Sequence, residues 1–205
     1  MKVLAFELST GCGSLAWASA ETQLKKEWPN DRKNSASFFE NLKLVSESYG
    51  LPETIIVGLG PGSYAGVRIA ISAALGLSTA AQAQLIGFPS VCAIECDDEE
   101  YCVIGDARRQ SFFFTHVRHN DPVEGPALFT ENELRDKLEG LEKKMPIFSA
   151  ENLPQFQGVI VRYPSAVVLA RLAQAPDRAF ALPPLEPLYL REPHITMPKK
   201  GKAIP

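Results

Sequence analysis

Two stretches of this 205-residue chain carry residue types that could hold a phosphate or attack a bond. The first is Ser9-Thr10-Gly11-Cys12-Gly13-Ser14, where hydroxyls and glycine amides follow an apolar run. Such a turn can cradle an anion with its backbone N–H groups, and as a tight hairpin it needs no ligand at all. The second is Gly58-Leu59-Gly60-Pro61-Gly62-Ser63-Tyr64-Ala65-Gly66-Val67-Arg68, which joins a β-branched run to a long apolar one. Glycine tolerates positive φ and close backbone approach. A helix leaving such a turn aims its first N–H groups at whatever lies over its start. Gly60-x-Gly62-x-x-Ala65 has the loose form of a dinucleotide fingerprint, but that reading wants an acidic residue about twenty positions on. None occurs between Glu53 and Glu95. A Walker loop needs Gly-Lys-Ser or Gly-Lys-Thr, and the chain has neither.

No nucleophile or metal centre is armed. Ser63 follows a glycine in a strand-to-helix turn, yet the nucleophile elbow needs Gly-x-Ser-x-Gly and the local string is Pro61-Gly62-Ser63-Tyr64-Ala65. An N-cap is the simpler role. The histidines are His116, His119 and His194. In or beside a strand, the spacing of His116 and His119 turns their rings to opposite faces. No catalytic residue, no metal site and no cofactor is therefore expected.

The elements that must position these turns follow from periodicity. Residues 3–8 are apolar on both faces, as in a central strand. Residues 15–20 and 23–28 read as further strands. Residues 35–49 read as a helix, with Phe38, Phe39, Leu42 and Val45 at three- and four-residue spacing, stopped by Gly50 and Pro52. A strand at 54–57, a helix from 64 to about 83 and a strand at 85–88 complete this half. The acidic run at 97–100 marks a boundary, giving lobes at 1–97 and 98–205. In the second half, 101–105 and 111–117 read as paired strands around Asp106-Ala107-Arg108-Arg109. Thr130-Glu131-Asn132-Glu133 has the form of a capping box that opens a short helix. Strands at 146–149 and 158–163 and a helix at 166–174 follow, and the proline-rich segment 175–205 reads as an extended strap.

Composition narrows the function. With 45% hydrophobic and 22% charged residues, the chain suits one or two compact domains. A net charge of -3 argues against an independent nucleic-acid binder. Cys12, Cys92, Cys96 and Cys102 show no zinc spacing, so free thiols in a reducing cytosol are expected. The apolar stretch 69–77 is too short to span a bilayer, and no cleavable leader is evident. A soluble, cytoplasmic chain is expected.

The run 60–69, Gly-Pro-Gly-Ser-Tyr-Ala-Gly-Val-Arg-Ile, resembles the Gly-Pro-Gly-Ser-Phe-Thr-Gly-Val-Arg-Ile signature of the TsaB (YeaZ-like) proteins. Leu4-Ala5-Phe6-Glu7-Leu8-Ser9-Thr10 resembles that family's opening strand, and Leu188-Tyr189-Leu190-Arg191 its closing Tyr-Leu-Arg element. The resemblance implies an α/β, actin-like (sugar-kinase, ribonuclease H-like) fold of two lobes, each a mixed sheet with helices. It implies a non-catalytic scaffold that binds and activates TsaD for threonylcarbamoyl transfer to the adenosine beside the tRNA anticodon. The ATPase TsaE joins, a homodimer is possible, tRNA is met only through the complex, and no membrane is involved. The signature loop is Gly60, Pro61, Gly62, Ser63, Gly66 and Arg68, with Arg68 expected to pair with a carboxylate or a loop carbonyl. Ser9, Thr10, Gly11 and Gly13 stand where nucleotide-binding relatives hold phosphate, but Glu7 replaces the usual Asp. Its longer side chain is poorly placed for hydrated Mg²⁺, which demands near-ideal geometry, so the site is expected to be degenerate. Asn34-Ser35 stands where many relatives show His-Ser. The two long helices imply the interface: Phe38, Phe39, Leu42, Val45, Tyr64, Ala70, Ala73, Ala74 and Leu77. A helix apolar on every side must be buried on every side, and one small lobe can cover only part of it. The alternatives kept open are a small actin-like ATPase or kinase, and a metal-dependent glycoprotease-like hydrolase.

Overall fold

The computed structural model describes residues 1–30, 35–141, 145–175 and 178–191. The connection at 31–34 (with Asn34), His194 and the rest of the strap beyond Arg191 lie outside the described residues.

Three antiparallel strands open the chain: β1 (Val3–Glu7), β2 (Cys12–Ala18) and β3 (Gln23–Pro29). Helix α1 (Ala36–Tyr49) leads to β4 (Thr54–Gly58), and α2 (Tyr64–Ala81) leads to β5 (Gln84–Phe88). The first sheet runs β3-β2-β1-β4-β5, with β4 and β5 parallel to β1. A 3-10 turn, Ser90–Cys92, crosses to the second half. There β6 (Glu100–Asp106), β7 (Ser111–Arg118) and β8 (Asp121–Thr130) are again antiparallel. Helix α3 (Glu131–Glu139), β9 (Ile147–Ser149), β10 (Val159–Val161) and α4 (Ala166–Ala173) follow. The second sheet runs β10-β9-β6-β7-β8, so each half has three antiparallel strands with two parallel strands added beside the first. This is the two-lobed, actin-like α/β arrangement expected from the resemblance.

Alternation along each strand sorts side chains into three cores. Leu4 and Phe6 of β1, and Leu8 just after it, face α1 and α2 together with Trp17, Ile55 and Val57. Val3 and Ala5 face the other way, against α4 and against Tyr101, Val103 and Phe148 of the second sheet. The outer face of the second sheet packs Ile104, Phe112 and Phe114 against Leu134 of α3. One hydrophobic core therefore joins the lobes. The sequence boundary at 97/98 falls between the sheets, whereas α4, from the second half, lies against β1, β2 and β4 of the first. The Ala166 N–H donates to the buried Ser14 hydroxyl (2.9 Å), and Ser165 N–H to the Ala93 carbonyl (2.8 Å).

Several expectations change here. Strand β2 begins at Cys12, not 15, because the turn before it is only as long as Ser9–Gly11. Strand β8 was not expected at all. Pro122, Gly125 and Pro126 argue against a strand, but β8 is an edge, exposed along most of its length, where missing donors cost little. The capping box at Thr130 and Glu133 is present as expected, with both reciprocal hydrogen bonds made.

Candidate functional site

The signature loop is a joint between β1 and α2. Ser63 N–H donates to the Ser9 carbonyl (2.6 Å), and the Ser63 hydroxyl caps α2 by accepting from Gly66 N–H (3.3 Å). A Cβ at Gly62 would sit 2.1 Å from the Ser9 carbonyl oxygen, and one at Gly66 2.1 Å from that of Leu8. These glycines are required because the start of α2 lies directly on the end of β1. Gly60 has φ +91°, which favours glycine; its N–H donates to Ser90 Oγ (2.8 Å), and its carbonyl accepts from Ser90 N–H (2.8 Å). Pro61 lines the cavity described below. Ser63 is thus the N-cap of α2, the role its place in the sequence suggested.

The first turn is largely committed to its own geometry. Thr10 Oγ1 bonds Cys12 across the turn, and Asn30 Nδ2 donates to the Leu8 and Thr10 carbonyls at 3.1 and 2.9 Å. Gly13 does not join Ser9, Thr10 and Gly11: it lies against the Trp28 indole, which a Cβ would meet at 2.6 Å. Its close approach to Trp28 needs a residue without a side chain. Glu7 is fully buried behind this turn, its Oε1 accepting from Ser9 N–H at 2.7 Å. Burial pushes the Glu7 carboxyl above its usual range, more than the hydroxyls of Ser9 and Ser90 and the Ser9 N–H pull it down. Those hydroxyls stand close enough to act electrostatically, yet neither Glu7 Oε2 nor Ser9 Oγ has a well-aligned hydrogen bond.

Between the lobes lies a cavity of about 610 Å³. Ser9, Thr10, Gly11 and the start of α2 wall it on one side, and Asp106, Ala107 and Arg108 of the β6–β7 turn on the other. The strap crosses over it, tied down by Leu188 N–H to the Leu59 carbonyl (2.8 Å) and by paired bonds between Ala181 and Gly87. The cavity thus sits beyond the carboxyl ends of β1 and β4, where open α/β sheets commonly take ligands. Sequence reasoning named its first wall but neither the second-lobe wall nor the roof, which come from distant segments.

The strap also completes the signature. Arg68 donates to the Tyr64 hydroxyl with its guanidinium over that ring, and Tyr189 packs on Tyr64 at 5.6 Å between ring centroids. The expected carboxylate or carbonyl partner for Arg68 is therefore replaced by a tyrosine hydroxyl. That hydroxyl raises the arginine's already high pKa.

The expected interface residues divide. Phe38, Leu42, Val45, Ala70 and Ala74 are buried in this chain's own core, so no partner can reach them. Ala73 and Leu77 are half-buried against the same core. Phe39 and Tyr64 are exposed, and Leu44 and Leu75, which were not singled out, join them. Among the described residues α2 is the one helix long and apolar enough to cross a membrane by length and composition, yet only 22% of it is buried. It packs on β4 and β5, and its outward face carries Ser72, Leu75, Gly76, Thr79 and Ala80 with Arg68 as the helix's one charge.

His116 and His119 stand 3.7 and 4.0 Å from Glu100 and Glu99 on the second sheet. No group of three His, Cys, Asp or Glu side chains comes together as a metal-ligand cluster among the described residues. All four cysteines are free, and burial pushes the Cys92 and Cys102 thiols up to about 12.

Comparison with known proteins bears on this geometry. Residues 48–125 match the family model described as TsaD, tRNA N6-adenosine threonylcarbamoyltransferase. Two solved structures from Pseudomonas aeruginosa share the fold at a TM-score of 0.73 with 20% identity. One is YeaZ, and the other is an uncharacterized protein with similarity to peptidase YEAZ. They cover 92% and 93% of this chain and 99% of their own. The uncharacterized protein ML0378 of Mycobacterium leprae is 26% identical over 151 residues, and the match spans 69% of this chain and 38% of that protein's length. In fold the chain is YeaZ-like, and its signature loop lies within the stretch that matches the TsaD family model.

Proposed function

We propose that this TsaB-like chain is a cytoplasmic, non-catalytic scaffold that binds a TsaD-type subunit and supports threonylcarbamoyl transfer to a tRNA adenosine. A TsaE-type ATPase would join the same assembly, and tRNA would be met only through it. The supporting observation is the outward face of α2, which is long, nearly uncharged and bare, with Phe39 and Leu44 of α1 exposed as well. A core helix would have that face covered, and a surface helix would carry more charge on it. A partner helix fits such a face, over roughly 800 Å² per partner.

Leu75→Arg places charge on that face, and Phe39→Asp places it on the exposed side of α1, both without entering the core. Each is expected to abolish co-purification with TsaD while shifting the melting temperature by a degree or two at most, since surface changes rarely exceed about 0.5 kcal/mol. Ala73→Arg is the weaker probe, because Ala73 is half-buried at home. Wild-type recovery of TsaD with both variants would remove this reading. The ATPase alternative is tested separately, by calorimetric titration of the isolated chain with Mg-ATP.

A further inference from the structure

The cavity between the lobes has walls, a roof and charged groups, and the scaffold reading gives it no use. Its volume lies within the range of small-molecule sites, about 300–1,000 Å³, which are mostly apolar with a few placed polar groups. Leu59, Val103, Phe113 and Leu188 supply apolar wall. Three arginines, Arg108, Arg162 and Arg191, and two carboxylates, Asp106 and Glu151, are among the lining residues, with Arg162 donating to the Glu95 carbonyl. Asp106 is already paired with Arg108 at 2.9 Å, whereas Arg191 has no acidic partner among the described residues. At the opposite wall the first-turn N–H groups of Tyr64 and Ala65 meet no acceptor among the described residues, and α2 adds its positive end there. Ser9, 1% exposed, stands on the same wall with its hydroxyl turned to the buried Glu7 carboxyl, so backbone N–H groups are what this wall offers a ligand.

We propose that this cavity binds a small organic anion with an apolar body. Its acid group is held between Arg191 and the start of α2, and its body lies against Leu59, Val103, Phe113 and Leu188. One net positive charge among the lining residues suits a singly charged acid better than a triphosphate. Glu7, the carboxyl nearest the first turn, is sealed behind that turn rather than facing the cavity, so it is not placed to hold a metal ion for a nucleotide.

The test uses the full chain and 8-anilinonaphthalene-1-sulfonate, an apolar anion whose fluorescence rises when it leaves water. One saturable site is expected, displaced by octanoate but not by octanol. Gly11→Trp and Ala150→Trp fill the cavity from opposite walls. A Cβ at Gly11 meets nothing within 4 Å, so that fold should survive, as circular dichroism checks. Both variants should abolish binding. Arg191→Gln should weaken it about tenfold, the loss of one charge-assisted contact. Leu75→Arg should leave it unchanged, which separates this site from the outward face of α2. The proposal is overturned if both tryptophan variants bind the probe normally, or if Mg-ATP displaces it at lower concentration than octanoate. It is also overturned if binding appears only after residues 192–205 are removed, which would make that segment the occupant.

Discussion

The two lobes share a strand order and differ in what travels between their parallel strands. In the first, α2 crosses from β4 to β5, and both strands are five residues long. In the second, β9 and β10 are three residues each, a loop replaces the crossing helix, and the next helix, α4, goes to the other sheet. The first lobe therefore carries a full helical layer with a bare outer side. The second keeps the strands that wall the cavity, one short outer helix, and little else. A sheet needs only one covered face beyond the shared core to be stable. The extra apolar area of α2 is more than the first sheet requires, and that excess separates the two halves.

The sharpest way to break the comparison is at the joint the second lobe lacks. Gly66→Val pushes side-chain atoms into the Leu8 carbonyl and should cost about 3 kcal/mol or more, read as a drop in the urea midpoint or loss of soluble protein. Gly158 in the second lobe has φ +73° but open space around it, so Gly158→Ala should cost only about 1 kcal/mol.

Next comes the shared core. Leu169 of α4 is fully buried between the sheets, and Leu169→Ala should cost about 2–5 kcal/mol while unfolding stays a single transition for both lobes. Two separate transitions would show that the halves are independent.

Glu7 gives a pH signature confined to the first lobe. Its carboxyl binds a proton more tightly folded than unfolded. The stability it contributes is fully present below the unfolded value near 4.5 and is lost as pH rises through the higher folded value. Glu7→Gln should flatten that decline and raise the melting temperature at pH 8 relative to wild type. An unchanged pH profile would count against a buried, proton-holding Glu7. The smallest effect belongs to the second lobe: Thr130→Ala removes the cap of α3 and should cost about 1 kcal/mol, with no effect on TsaD recovery.

How much of this was legible in the sequence depends on range. The turn at 58–68 and the helix after it could be read because glycine spacing and a helix N-cap are local signals. Strand β8 could not, since Pro122 and Pro126 forbid a central strand, and edge position is a property of the sheet rather than of the segment. The interface was half legible. Small residues surround α2, so periodicity has no phase to separate Ala70 and Ala74, which turn inward, from Leu75, which turns out. On α1 the i, i+3, i+4 series located the helix but put Phe38, Leu42 and Val45 at the interface, whereas they are core and it is their neighbour Phe39 that turns outward. The cavity was least legible, because its walls come from residues near 10, 60, 106 and 190.

The placement of α4 has a consequence for how the chain comes into being. Residues 1–88 contain every strand of the first sheet, but the face that α4 covers stays open until residue 173 has been made. At about 5–20 residues per second during synthesis, a nascent first lobe waits several seconds with Val3, Ala5, Ala16 and Ile56 bare on that side. Ribosome-stalled chains cut short before residue 166 should therefore recruit holdase chaperones, and the full chain once released should not.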